Sequence, residues 1–262
     1  MNADLLLDPD QRPIIGHRGA SGQAPENTVA SFDLAVAQGA EAFEFDVRLT
    51  ADGIPVVFHD PTLDRTTDAT GPLAARTLAD LRHVDAGARF TPGRAEFPHR
   101  GCGVRISTLE EVLVRYPDIP ILLELKEVQA AAPVRQALVA AGAVNRVVVA
   151  SFEPGAIAPF MDRPFQAGAS RREITELAVR SVLRLKPRDR GVLLYSVPDR
   201  YRGVIPVPTR RFVRNARALG HPVHVWTVND SETATRLWSI GCAGMITNFP
   251  GLLRAARDRL KA

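Results

Sequence analysis

Apolar residues in this chain come in short runs, each followed by a stretch whose apolar positions recur at helical spacing. The runs at 13–17, 42–47, 121–125, 146–151, 165–169, 192–197, 223–227 and 244–247 read as strands buried on both faces. Between and after them, 28–38, 109–116, 133–141, 173–185, 209–219, 231–240 and 252–260 read as helices. Several stop at a glycine, as at Gly39, Gly142, Gly220 and Gly241, where the left-handed residue that ends a helix is cheapest. Ser107-Thr108 ahead of Glu110 and Glu111 is an N-cap followed by acids in the first turn.

Strands of this kind alternating with helices predict a parallel α/β sheet. Eight such units in 262 residues match a closed (β/α)8 TIM barrel. An open doubly wound sheet is the alternative, but no GxGxxG follows any of the strands. The rhythm breaks once, between Val47 and Ile121. That interval holds a candidate hairpin at 45–60 and a Gly- and Pro-bearing stretch, 61–105. The expectation is one barrel domain over 1–262, with 61–105 inserted after strand two across the C-terminal face, where insertions build active-site walls.

Composition narrows the function classes. Hydrophobic residues make up 45% and charged residues 24%, the balance of a soluble globular chain. Net charge is +4, and the excess is arginine: only Lys126, Lys186 and Lys261 are lysines. Its short clusters, Arg171-Arg172 and Arg210-Arg211, favour anionic small molecules by steering. With 6% aromatic residues and no basic stripe, nucleic acid is not an expected partner. Cys102 and Cys242 have no metal-type spacing and read as free thiols. The acidic N-terminal stretch lacks the pattern of a signal peptide, and no run is long enough to span a membrane, so a cytoplasmic protein without integral membrane association is expected.

The polar residues at strand ends carry the chemistry. Strand one ends in Gly16-His17-Arg18-Gly19, strand two carries Glu44 and Asp46, and strand three carries Glu124 and Lys126. These ends are where barrels do chemistry. Alternation puts Glu44 and Asp46 on one face, and likewise Glu124 and Lys126. Three carboxylates converging on one mouth repel unless a cation lies between them. All-oxygen ligands select a hard cation, Mg²⁺ or Ca²⁺. If Asp52-Gly53 form a two-residue hairpin loop, Asp46 lies directly opposite His59; a three-residue loop would shift the register by one. Two histidines, an arginine and a lysine around a hard cation suit phosphoryl chemistry, one histidine as base and the other as acid. Taken singly, each residue has a plainer reading: Asn27 as a helix cap, Trp226 as core, Glu44-x-Asp46 as a solvated edge.

At these positions the chain resembles the glycerophosphodiester phosphodiesterase family. The matching stretches are IIGHRGASGQAPENTVASF, GAEAFEFDVRLTADGIPVVFHDPTLDRTT, STLEEVL, LLELK, SFEP, VHVWTVND and GMITNFP, running from residue 14 to 250. The resemblance implies a (β/α)8 barrel and hydrolysis of small glycerophosphodiesters to sn-glycerol 3-phosphate and an alcohol. It implies His17 and His59 as the acid/base pair and Glu44, Asp46 and Glu124 as ligands of the divalent cation. It places Arg18 and Lys126 on the phosphate, Trp226 in the substrate pocket, and Glu26 behind the site. The family often has Asp-x-Pro where this chain has Asn248-Phe249-Pro250, and Asp where it has Glu153. Both positions are expected to lie away from substrate and metal. The rivals are a phospholipase D-like enzyme on lysophospholipids, for which 197–208 would help build an apolar mouth, and a non-catalytic phosphodiester-binding barrel.

Overall fold

A computed structural model describes residues 3–93 and 96–260. Its strands are β1 Ile14–His17, β2 Ala42–Leu49, β3 Pro55–Val57, β4 Ile121–Leu125, β5 Val147–Ala150, β6 Tyr195–Pro198, β7 Arg200–Tyr201, β8 Ile205–Pro206, β9 Val223–Trp226 and β10 Met245–Thr247. Seven are parallel, in the order β5-β4-β2-β1-β10-β9-β6, and β3 pairs antiparallel with β2. The fold is the expected α/β barrel, with one local difference. The run at 165–169 does not form a regular strand. It nevertheless bridges the two ends of the sheet: Val149 N–H donates to Gln166 O at 2.8 Å, and Leu193 N–H donates to Ala167 O at 2.8 Å. Pro164 before it and Gly168 within it remove a donor and a side chain that would have extended the ladder.

Outward strand residues meet the helices. Phe43, Phe45 and Val47 of β2 pack with Phe32 of the helix Val29–Ala37 and with Leu109, Val112 and Tyr116. Helix starts follow the sequence closely. Thr28 accepts from Ser31 N–H, and Thr108 with Glu111 and Ser170 with Glu173 form capping boxes. Ser170 moves the expected 173–185 helix to Arg171–Val182.

The barrel floor was not anticipated. Residues 4–7, for which the pattern predicts no element, form a helical turn, Asp4–Leu7. Its fully buried Leu6 packs against the inward residues Ile15, Ala42, Leu122, Val148, Leu194 and Ile246. Fully buried His224 ties the turn down. Its Nε2–H donates to Leu6 O (2.8 Å), while Nδ1 accepts from Gly244 N–H (2.9 Å). Both ring nitrogens are spoken for by the neutral ring, and burial lowers the His224 pKa from 6.5 to about 4. The unfolded chain therefore takes up a proton at a higher pH than the folded one. Stability is expected to fall as pH drops from 6.5 towards 4, by about 1.4 kcal/mol per pH unit for this group. Urea midpoints across this range should show a shallower slope in His224→Gln than in the parent; equal slopes would refute the assignment.

The 61–105 stretch packs its apolar side chains on the hairpin, and Arg82 pairs with Glu111 of the helix Leu109–Arg115 at 2.7 Å. Val56 and Phe58 meet Leu63, Leu73, Leu81, Val84, Ala86 and Ile106 in a small apolar cluster of their own. No helix among the described residues is long and apolar enough to cross a membrane.

Candidate active site

Sheet register assembles the carboxylates. In the parallel pairs, His17 of β1 lies beside Glu44 of β2, and Asp46 of β2 beside Glu124 of β4. Side chains at paired positions share a face, so all four point into the barrel at its C-terminal end. Glu44, Asp46 and Glu124 each bring one carboxylate oxygen within 4.8 Å of the others. His17, Arg18, Glu44, His59, Glu124, Lys126 and Trp226 line one cavity of about 140 Å³, with Leu122, Ala150, Ser151, Phe152, Ala169 and Ser196 completing its wall. Asp46 lies just beneath, 1% exposed, and Glu26 lies behind Arg18.

The hairpin does not have the expected register. Thr50 N–H donates to Ile54 O (3.1 Å) and Gly53 N–H to Thr50 O (3.0 Å), so the loop has three residues, Ala51-Asp52-Gly53. Gly53, at φ +76°, takes the left-handed position that this loop requires. Asp52 is held by Thr50 Oγ1 and by Leu78 N–H from the inserted stretch, which favours the longer loop. Val47 therefore pairs with Val57, and Phe58, not His59, stands opposite Asp46, its N–H donating to Asp46 O at 3.0 Å. His59 reaches the cavity because β3 has ended and the chain has turned. Arg48 Nε holds the His59 carbonyl at 2.7 Å.

The two histidines have different partners. His17 Nδ1 is 2.6 Å from Asn248 Oδ1, which also accepts from Ser21 Oγ at 2.9 Å. An amide oxygen only accepts, so Nδ1 carries the proton and Nε2 keeps its lone pair. Burial, helped by the Arg18 charge, holds the His17 pKa at about 4, against the pull of Asn248. His59 Nδ1 is 2.6 Å from Asp60 Oδ1, and Arg65 Nε ties the other Asp60 oxygen. Arg65 also makes a bidentate pair with Glu26, which in turn holds Arg18 Nη1 at 2.8 Å. Arg65 thus joins the inserted stretch to the site.

Five charges share the space around Asp46. Lys126 Nζ is 2.8 Å from Asp46 Oδ1 and 2.8 Å from Glu124 Oε1, and Arg18 Nε is 3.0 Å from Asp46 Oδ2. Burial pushes Asp46 up, but Lys126 and Arg18 outweigh it and hold it at about 2. Burial likewise pulls Lys126 down, but Asp46 and Glu124 reverse this and raise it. Glu44 differs. Burial first, then the charges of Asp46 and Glu124, raise its pKa well above the usual carboxylate range. Its Oε2 is buried with no hydrogen-bond partner among the described residues, and His17 Nε2 is 3.9 Å away.

Arg18 and Gly19 make the tight turn after β1, with φ of 55° and 85°. Gly19 is required there, because a Cβ would lie 2.6 Å from the Ser31 backbone.

Sequence reasoning missed Asp60 and Arg65, described above, and three further contributors. Asn248 was expected to lie apart from the chemistry, yet it is the direct partner of His17. Asn27 does not cap the helix; Thr28 does, while buried Asn27 Nδ2 donates to Asp46 Oδ2 at 3.0 Å. Phe152, whose ring lies edge-on to Trp226 at 6.0 Å, builds the apolar wall. Asn248 left a signal as a departure from the family pattern, and Asn27, Asp60, Arg65 and Phe152 lie within the matching stretches.

A closed barrel with histidines and carboxylates gathered at the C-terminal ends of its strands defines an enzyme-type (β/α)8 protein. The Glycerophosphoryl diester phosphodiesterase family profile matches residues 17–252. The glycerophosphodiester phosphodiesterase of Bacillus subtilis is 30% identical over 96% of this chain and 88% of that protein; the one from Caldanaerobacter subterraneus is 31% identical over 92% and 95%. Among solved structures, the glycerophosphoryl diester phosphodiesterase domain of a Mycobacterium tuberculosis protein superposes with a TM-score of 0.84 at 25% identity, covering 95% of this chain and all of that one. An Oleispira antarctica phosphodiesterase in complex with the product sn-glycerol-3-phosphate superposes with a TM-score of 0.72 at 27% identity, covering 95% and 97%. The chain belongs to the glycerophosphoryl diester phosphodiesterase family.

Proposed function

We propose that this chain hydrolyses small glycerophosphodiesters to sn-glycerol 3-phosphate and an alcohol, as a single cytoplasmic barrel domain. The observation that carries the reading is one cavity at which two histidines, an arginine, a lysine and the carboxylate cluster meet, in a chain of this family.

The donor set fits a divalent cation. Glu44, Asp46 and Glu124 would hold it, and buried Glu44 Oε2 is a carboxylate oxygen with nothing else to satisfy it. When bound, the cation supplies Lewis-acid stabilisation of charge on the phosphate. The protein's own part is proton transfer and positioning. His17 is neutral above about its shifted pKa of 4, with Nε2 free to accept. In this reading it takes the proton of the attacking hydroxyl as the new P–O bond forms, either from water directly or from the glycerol 2-hydroxyl, in which case water opens the resulting cyclic phosphate in a second step. His59 donates a proton to the leaving alkoxide as the old P–O bond breaks. Asp60 orients the His59 ring through Nδ1, as Asn248 orients that of His17. Lys126 and Arg18 offset charge on the phosphoryl oxygens, and Trp226 with Phe152 walls the alcohol side.

Hydrolysis of glycerophosphocholine, read as released choline, tests the activity; a purified chain that releases none under any divalent cation would refute it. Asn248 is assigned as the positioning residue of His17. Asn248→Ala is expected to lower kcat about 10- to 100-fold with KM little changed, and Asn248→Asp, which still accepts from Nδ1–H, to keep most activity. Equal losses in both variants would argue for a merely structural role.

A further inference from the structure

One end of the molecule carries features that this chemistry does not use. Past Pro198, which pairs with Trp226 at the cavity, the chain forms the hairpin β7–β8. Val204 N–H donates to Tyr201 O, and both central residues, Arg202 (φ 51°) and Gly203 (φ 73°), are left-handed. With Tyr201 paired to Ile205 the loop has three residues, Arg202-Gly203-Val204, and arginine rarely takes a left-handed position. The turn displays Tyr201, Val204 and Ile205 at 52%, 71% and 60% exposure. Tyr201 and Ile205 are cross-strand partners, so they lie on one face.

Arginines surround this tip. The helices Arg171–Val182 and Arg210–Ala218 pack side by side, and both start at this end of the barrel. Each opens with two arginines, where the helix dipole disfavours positive charge. Arg171, Arg172, Arg202 and Arg210 are exposed and form no ion pair with a described residue; Arg200 lies 3.8 Å from Asp199. The nearby acids are engaged elsewhere, Glu173 by Ser170 and Asp199 by Arg236. Charge placed against local helix energetics and apolar side chains held off the core share one rim beside the cavity.

We propose that this rim docks the protein on an anionic lipid surface, with Tyr201, Val204 and Ile205 entering the headgroup layer and the arginines meeting lipid phosphates. The chemistry is that of an interfacial anchor: a small apolar tip ringed by cationic side chains, with tyrosine at the polar boundary. It rests on the phosphodiesterase reading only in what docking is for, presenting a lipid-borne phosphodiester such as a lysophospholipid to the cavity.

The test is co-sedimentation of the full chain with vesicles of phosphatidylcholine and phosphatidylglycerol in equal parts, against phosphatidylcholine alone. Binding is expected to the anionic vesicles and to weaken with salt. Tyr201→Ser with Ile205→Ser should lower partitioning about tenfold, with thermal unfolding and hydrolysis of soluble glycerophosphocholine unchanged. A second exposed apolar stretch, Val179, Val182, Leu183 and Leu185, lies at the opposite end of the barrel and serves as the control. Val182→Ser with Leu183→Ser should bind like the parent. The proposal is overturned if the parent does not bind anionic vesicles, if the hairpin variant binds as tightly, or if the control variant loses binding. Vesicle binding by a chain that hydrolyses no soluble phosphodiester would refute the reading of the cavity and leave the rim standing.

Discussion

Removing divalent cations with EDTA is expected to abolish hydrolysis of glycerophosphocholine, by about a thousandfold or more, and added Mg²⁺ or Ca²⁺ to restore it. The reason is electrostatic. Glu44, Asp46 and Glu124 carry three potential negative charges into a buried space where, among the described residues, Lys126 and Arg18 are the fixed cations. Lys126 and Arg18 both favour Asp46, which they hold at about 2. Glu44 is left over, its pKa raised by burial and by its two acidic neighbours. A bound cation would give Glu44 Oε2 the partner it lacks and would compete with a proton for that oxygen. Binding has its own readout, because a ligand of the native state raises the unfolding temperature. Glu44→Gln removes the charge at nearly constant volume and should lose both the Mg²⁺-dependent stabilisation and the activity. Full activity in EDTA would end the metal assignment.

His17→Ala and His59→Ala are each expected to lower kcat by about 10²- to 10⁴-fold, the usual worth of a positioned acid or base. The leaving group separates the two roles. A nitrophenyl phosphodiester needs little help from an acid, so it should restore turnover to His59→Ala and not to His17→Ala. Restoration of the opposite variant would reverse these roles. Parent-like turnover in either variant would end the acid/base assignment.

The alternation of strands and helices, the end of the barrel at which chemistry gathers, and the residue types that gather there are legible in the order of residues along the chain. These are local properties. Buried runs, caps such as Ser170 with Glu173, and the common face of Glu44 and Asp46 follow from neighbours a few positions away. Which side chains complete the site depends on contacts between distant parts of the chain. The bonds His17–Asn248, Asn27–Asp46 and Arg65–Glu26 span 231, 19 and 39 positions, and no periodicity reports such distances. The stretch at 166–169 joins the sheet through backbone bonds to both sides without the pattern of a regular strand. The hairpin shows the limit most plainly. An Asp-Gly turn permits more than one loop length, and the longer one present here is held by Asp52 accepting from Thr50 Oγ1 and from Leu78 N–H, the second contact coming from the inserted stretch. That one-residue difference puts Phe58 opposite Asp46 and leaves His59 to be brought to the cavity by the turn that follows, with its carbonyl held by Arg48.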